Sequence, residues 1–142
     1  MSTRNYARLV ITSEVMTSDE ITNIVKLRPD QAWKPGDFRG KTGARHKNDG
    51  WVFNSKVPKK SSLEEHVDHL LGTLAPVAAQ ILSISHKAEV RFSCVVYSAT
   101  SPPLFFEKGT IAQISALGAS FDIDLYIVPD NDQPLKSLPS SE

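Results

Sequence analysis

Four groups of residues in this chain have types and spacings that could do chemistry. The first is Gly36-Asp-Phe-Arg-Gly40-Lys-Thr42, which has the look of a phosphate-binding loop. That motif needs four residues between its first glycine and Gly-Lys-Thr, and here there are three. It should also open a helix whose N-terminus meets the phosphate, yet Gly43 and more charged residues follow. The second is His66 with His69, three apart on a predicted helix beside Glu65 and Asp68. Such spacing can hold a metal, but no third ligand is evident and a solvated face is the plainer reading. The third is Asp122 with Asp124, which strand alternation puts on one face with Tyr126. Two carboxylates about 7 Å apart can do acid–base work or hold a cation. The plainer reading is a sheet face whose acids meet Arg91 or a basic loop. The fourth is Cys94, alternating with Val90, Phe92 and Val96, which is a core position where a thiol is inert. No catalytic residue, metal ligand set or cofactor is assigned.

The remaining signal is a loop. Arg28 to Trp51 carries both tryptophans of the chain and a run of cations. A segment of this length without secondary structure is either functional or disordered. Large aromatics are rare in segments that never pack, so Trp33 and Trp51 are expected to anchor the loop, leaving a mobile tip from Gly40 to Asp49. From Lys26 to Lys60 ten basic residues face only Asp30, Asp37 and Asp49, although the whole chain is formally neutral. Local imbalance of this kind steers acidic partners. Lys34, Arg39, Lys41, Arg45 and Lys47 are the residues expected to bind a partner.

The elements that position these residues are legible from periodicity. Asn5 to Ser13 reads as a strand, with Ala7, Leu9 and Ile11 on one face. Thr17-Ser-Asp-Glu20 is a capping box opening a helix with Ile21, Ile24 and Val25 inward. Pro29 stops it near Leu27. After the loop, Trp51 to Lys56 reads as a strand. Ser62-Leu-Glu-Glu65 caps a helix with Leu63, Val67, Leu70, Leu71 and Leu74 in one stripe. Pro76 interrupts it and is well placed to start a new helix through Ile81 and Leu82. Ala88 to Ser98 is the clearest strand. Leu104 to Glu107 is expected to return beside it as a hairpin. Thr110 caps a short helix with Ile111, Ile114 and Leu117 inward and Gly118 at its end. Ala119 to Val128 is the last strand.

This order implies an α+β class: one mixed sheet of about five strands with helices packed on one face. A ferredoxin-like arrangement is the nearest pattern, elaborated by the long loop and the kinked helix. Residues 1–128 form one domain, and 129–142 read as a disordered polar tail. With 142 residues the chain can bury a core without disulfide or metal. A lone cysteine, no apolar run of signal-peptide length and no membrane-span-length apolar window give a cytoplasmic reading.

The residues Ile21-Thr22, Pro29, Trp33 with Gly36, Gly50-Trp51, Leu70-Leu71 with Leu74 and Pro76, and Asp122-Ile-Asp-Leu-Tyr126 carry a resemblance. The chain resembles the domain-of-unknown-function family numbered 4279, found in bacteria and their phages. The resemblance implies a small cytoplasmic α+β domain and carries no catalytic residues to transfer. The functional expectation is a non-enzymatic binding module. It would recognise an acidic protein surface through residues 28–51, with an immunity- or inhibitor-type protein as one concrete version. A binder of an anionic small ligand such as a nucleotide is the rival, and a small enzyme using Asp122 and Asp124 is third. The neutral chain argues against nucleic acid. Homo-oligomerisation is left open by the sequence.

Overall fold

The computed structural model describes residues 3–129. The sheet is built on β1 (Arg4–Ser13), its central strand. β1 pairs antiparallel with β3 (Asp49–Asn54) on one side and with β4 (Glu89–Ser98) on the other. β2 (Gln31–Trp33) extends the sheet beyond β3, and β5 (Ser120–Ile127) runs parallel to β4 at the far edge. The strand order is β2-β3-β1-β4-β5, one mixed sheet. The α+β class and the helices on one face are as the sequence implies.

Alternation decides which face is dry. Ala7, Leu9 and Ile11 of β1 meet Trp51 and Phe53 of β3 and Val90, Phe92, Cys94 and Val96 of β4 in one cluster. All four helices seal it. α1 (Ser18–Val25) contributes Ile21 and Val25, while Ile24, expected on the same inward face, is exposed. α2 (Leu63–Leu74) contributes its whole predicted stripe, Leu63, Val67, Leu70, Leu71 and Leu74. α3 (Ala78–Ile84) adds Ile81 and Ile84, and α4 (Lys108–Ala116) adds Ile114, with Leu117 just beyond its end. Both predicted capping boxes form, Thr17 with Glu20 and Ser62 with Glu65. Pro76 sits in a 3-10 turn, Ala75–Val77, that separates α2 from α3. Against the expectation that no apolar window reaches membrane-span length, the stretch Leu63–Ile84 is long and apolar enough to cross a membrane; its apolar stripe packs into this core.

Other expectations need correction as well. Leu104 to Glu107 forms no strand. Both edges of β4 are already taken, by β1 and by β5, so a hairpin partner has nowhere to pair. Phe106 instead packs edge-on to Phe121, ring centroids 5.0 Å apart. The helix expected to be capped by Thr110 starts earlier, with Glu107 at its N-cap, and the Thr110 hydroxyl donates to Asp68 Oδ1 at 3.3 Å. Thr110, Ile114 and Leu117 form the inward stripe, at i, i+4 and i+7, which leaves Ile111 outward, 56% exposed. Finally, the long loop is not without structure, because β2 forms inside it. The tail from 130 onward, read from sequence as disordered, lies outside the described residues.

Candidate functional site

The basic loop grows out of the β2–β3 edge. Asp30 ties its start to the sheet. Its amide donates to the Val52 carbonyl at 2.7 Å, and its carboxylate accepts from the Asn54 amide and from Lys56 Nζ. Burial alone would push the Asp30 carboxyl up; the Asn54 amide and Lys56 outweigh it, so the group titrates below the ordinary carboxylate range.

Beyond Trp33 the chain folds back on itself. Gly36 N–H donates to the His46 carbonyl, His46 N–H to the Asp37 carbonyl and Arg39 N–H to the Ala44 carbonyl. Phe38 and Arg45 form an isolated antiparallel bridge, and the Arg45 guanidinium lies 4.0 Å over the Phe38 ring. Thr42 closes the tip, donating to the Arg39 carbonyl and accepting from the Ala44 amide. The tip, expected to be mobile, is thus a small hydrogen-bonded hairpin. Gly40 and Gly43 turn it in the left-handed region, φ 59° and 83°, where a side chain would be strained. No helix follows Gly40-Lys-Thr, so the phosphate-loop reading fails on geometry as well as spacing.

The two tryptophans do different work. Trp51 is fully buried among core residues, and its indole N–H donates to Thr22 Oγ1 at 3.0 Å, tying β3 to α1. Trp33 is half-buried rather than buried. It stacks on His46 at 4.1 Å between ring centroids and lies where a side chain at position 50 would be. Gly50, its cross-strand partner, leaves that space. Trp33 therefore anchors the loop against the edge of the sheet, not against the helices. Its indole Nε1 is buried without a hydrogen-bond partner among the described residues. Burial lowers the His46 pKa, Arg39 adds to the effect and Asp37 opposes it, so a neutral imidazole stacks here.

Lys34, Arg39, Lys41, Arg45 and Lys47 are all exposed, as expected of partner-binding residues. Lys34 lies 3.7 Å from Asp19 on the surface. The Arg45 Nη1 donates to the Gly36 carbonyl, so this cation is held by the loop itself. Arg39, Lys41 and Lys47 have no ion pair among the described residues.

Asp122 and Asp124 share the helix-free face of β5, opposite Ser93 and Val95, and both are exposed. The basic counter-charge expected for them is not found among the described residues. The loop sits at the opposite edge of the sheet, and the Arg91 guanidinium lies 4.0 Å from Glu89. Among the described residues no group of three His, Cys, Asp or Glu side chains is arranged to hold a metal. Cys94 is buried, and burial, then Asp122, pushes its thiol up to about 12. A thiol so shifted is no nucleophile at neutral pH.

Sequence reading missed His66. It is not on a solvated face but 2% exposed, on the side of α2 that meets the connection from β3. Its Nε2 lies 3.0 Å from the Pro58 carbonyl, an acceptor, so the proton must be on Nε2. Nδ1 then accepts from the Ser55 hydroxyl at 2.6 Å. The pair has the form of a serine activated by an imidazole. Burial lowers the His66 pKa despite the Pro58 and Glu65 contributions, and His69 adds to the lowering. The two bonds also hold Ser55 and Pro58 against α2. A polar residue three positions from Leu63 and one before Val67 was the available signal, since it borders the buried stripe.

No curated protein and no solved structure matches the chain. A family model does, and it spans the sheet, the four helices and the loop. It covers residues 3–128, the same span that shares the single core, and the residues on which the resemblance rests lie within it. The chain belongs to the family described as Domain of unknown function (DUF4279).

Proposed function

We propose that this protein is a non-enzymatic binding module that recognises an acidic surface of another protein through its basic loop. The observation that carries the reading is a loop folded by its own hydrogen bonds that holds Arg39, Lys41 and Lys47 in solvent without carboxylate partners among the described residues. Charges that stabilise nothing at home are free to steer an encounter. A pre-folded hairpin also spares the ordering cost that a floppy segment meets on binding. An immunity- or inhibitor-type protein, cytoplasmic and of bacterial or phage origin, is the concrete version. The exposed acid pair on β5, which has no third His, Cys, Asp or Glu placed with it to hold a metal among the described residues, gives the enzyme alternative less support than the loop gives binding.

The test replaces Arg39, Lys41, Arg45 and Lys47 together by serine. Exposed cations contribute little to stability, so the melting temperature should stay nearly unchanged. Side-by-side affinity capture from the native host should return an acidic protein with the unaltered chain and lose it with the variant. The salt dependence of that binding should shrink as well. Equal capture by both proteins at low salt would remove the loop from recognition.

A further inference from the structure

The face of the sheet that no helix covers carries a second basic feature, far from the loop tip in the sheet's own geometry. Alternation along β1 puts Tyr6, Arg8, Val10 and Thr12 on this face. Arg8 stands in register between Asn54 of β3 and Ser93 of β4. Its side chain is half-buried, yet it has no hydrogen bond or ion pair to any described residue. Among the described residues the buried side-chain nitrogens without a partner are Trp33 Nε1 and Arg91 Nε, so the Arg8 guanidinium stays open to solvent and to a ligand.

Around Arg8 is a cavity of about 510 Å³. That is within the range of small-molecule sites. Arg8 and Lys59 are its two cations, and no Asp or Glu lines it. The other polar groups that line it are Tyr6, Gln31, Asn54, Ser55, His66 and Ser93. The Lys59 ammonium lies 5.5 Å above the Tyr6 ring, which holds it over the cavity. The position of this rim is fixed from beneath. His66 donates from Nε2 to the Pro58 carbonyl, one residue before Lys59, and accepts from Ser55. The start and the middle of the connection from β3 toward α2 are thereby tied to one buried side chain.

We propose that this cavity binds a small phosphorylated metabolite. The Arg8 fork suits a phosphate, Lys59 supplies a second positive charge for a dianion, and the amides and hydroxyls orient what remains. The site uses none of the loop cations and does not depend on the protein-binding reading. Asp122 lies in the same cross-strand row, next to Ser93 and two strands from Arg8, and its charge opposes the ligand.

The experiment is a titration of the full chain, isotopically labelled, with pyrophosphate, adenosine monophosphate and citrate, followed by amide NMR shifts. Saturable shifts with the phosphate compounds are expected at residues 6–8, 54–59 and 93–95. Arg8→Gln and Lys59→Gln should each weaken binding by about tenfold or more, the loss of one charge-assisted contact. The fourfold loop variant should bind as tightly as the unaltered chain. Asp122→Asn should tighten binding at low salt. Tighter binding of citrate than of either phosphate compound would overturn the phosphate assignment. Shifts confined to residues 34–47, no saturation by about 10 mM, or unchanged affinity in Lys59→Gln would overturn the site itself. Using two charge variants keeps the outcome decisive if Arg8→Gln folds poorly.

Discussion

A methyl group added at Gly50 would collide with the Trp33 indole. The glycine is needed for what lies above it rather than for its own backbone, since its φ is not in the left-handed region. Gly50→Ala is therefore expected to lower stability by about 1–3 kcal/mol, the usual range for forcing bulk into a packed site. Urea unfolding would measure it. The cause can be isolated by a cycle with Trp33→Ala: once the indole is gone, the added methyl should cost little, so the two effects should fall well short of additive. Strict additivity would mean that the glycine matters for another reason. The pairing of Gly50 with Trp33 was half legible. The sequence contains Trp33 and Gly50-Trp51 as separate features. Only the antiparallel register of β2 and β3 brings one onto the other.

Among the elements, those with a clean period were readable and those defined by a neighbour were not. β1, α2, β4 and β5 announce themselves because one face is apolar and the other is not. β2 is three residues long and exists because the edge of β3 was open to it. Leu104 to Glu107 has good strand residues but no open edge, so it stays irregular. Propensity proposes and pairing partners decide. The same lesson holds for the connection from β3 to α2, where His66 is invisible as a clasp until Ser55 and Pro58 are seen beside it. That clasp makes a pH prediction. His66 is held below its ordinary pKa of 6.5, first by burial. The unfolded chain then binds the proton more readily than the folded one, so stability is complete above about pH 6.5 and is lost as pH falls through the folded value. Urea midpoints should therefore decline on acidification from neutral pH. His66→Gln should flatten the decline, with the remainder assignable to His46, whose pKa is lowered in the same sense. A midpoint that rises between pH 7 and 5.5 would contradict the buried, neutral imidazole.

For the molecule as a whole, the formal neutrality of the chain hides a spatial separation. The basic loop leaves from one edge of the sheet, while Asp122 and Asp124 stand on the other. Because the two do not meet, the acids form no stabilising ion pair among the described residues. Asp124→Ala is expected to change unfolding stability by no more than about 0.5 kcal/mol, as for an exposed surface position. The melting temperature of the unaltered chain should also be indifferent to magnesium or manganese. A metal-dependent rise that Asp124→Ala abolishes would revive the acid pair as a functional site.

The central strand of the sheet is also the first to be made. β1 begins at Arg4, but its second neighbour, β4, ends at Ser98. On the ribosome, most of the domain must emerge before β1 can be enclosed on both sides. Until then its apolar face, Ala7, Leu9 and Ile11, and one backbone edge stay available to any other strand. Few of the sheet contacts are local, which slows folding and lengthens that interval. A nascent chain stalled before Glu89 is thus the form most exposed to aggregation and most dependent on chaperones, and the same arrangement leaves no smaller piece of the domain able to complete the sheet around its own first strand.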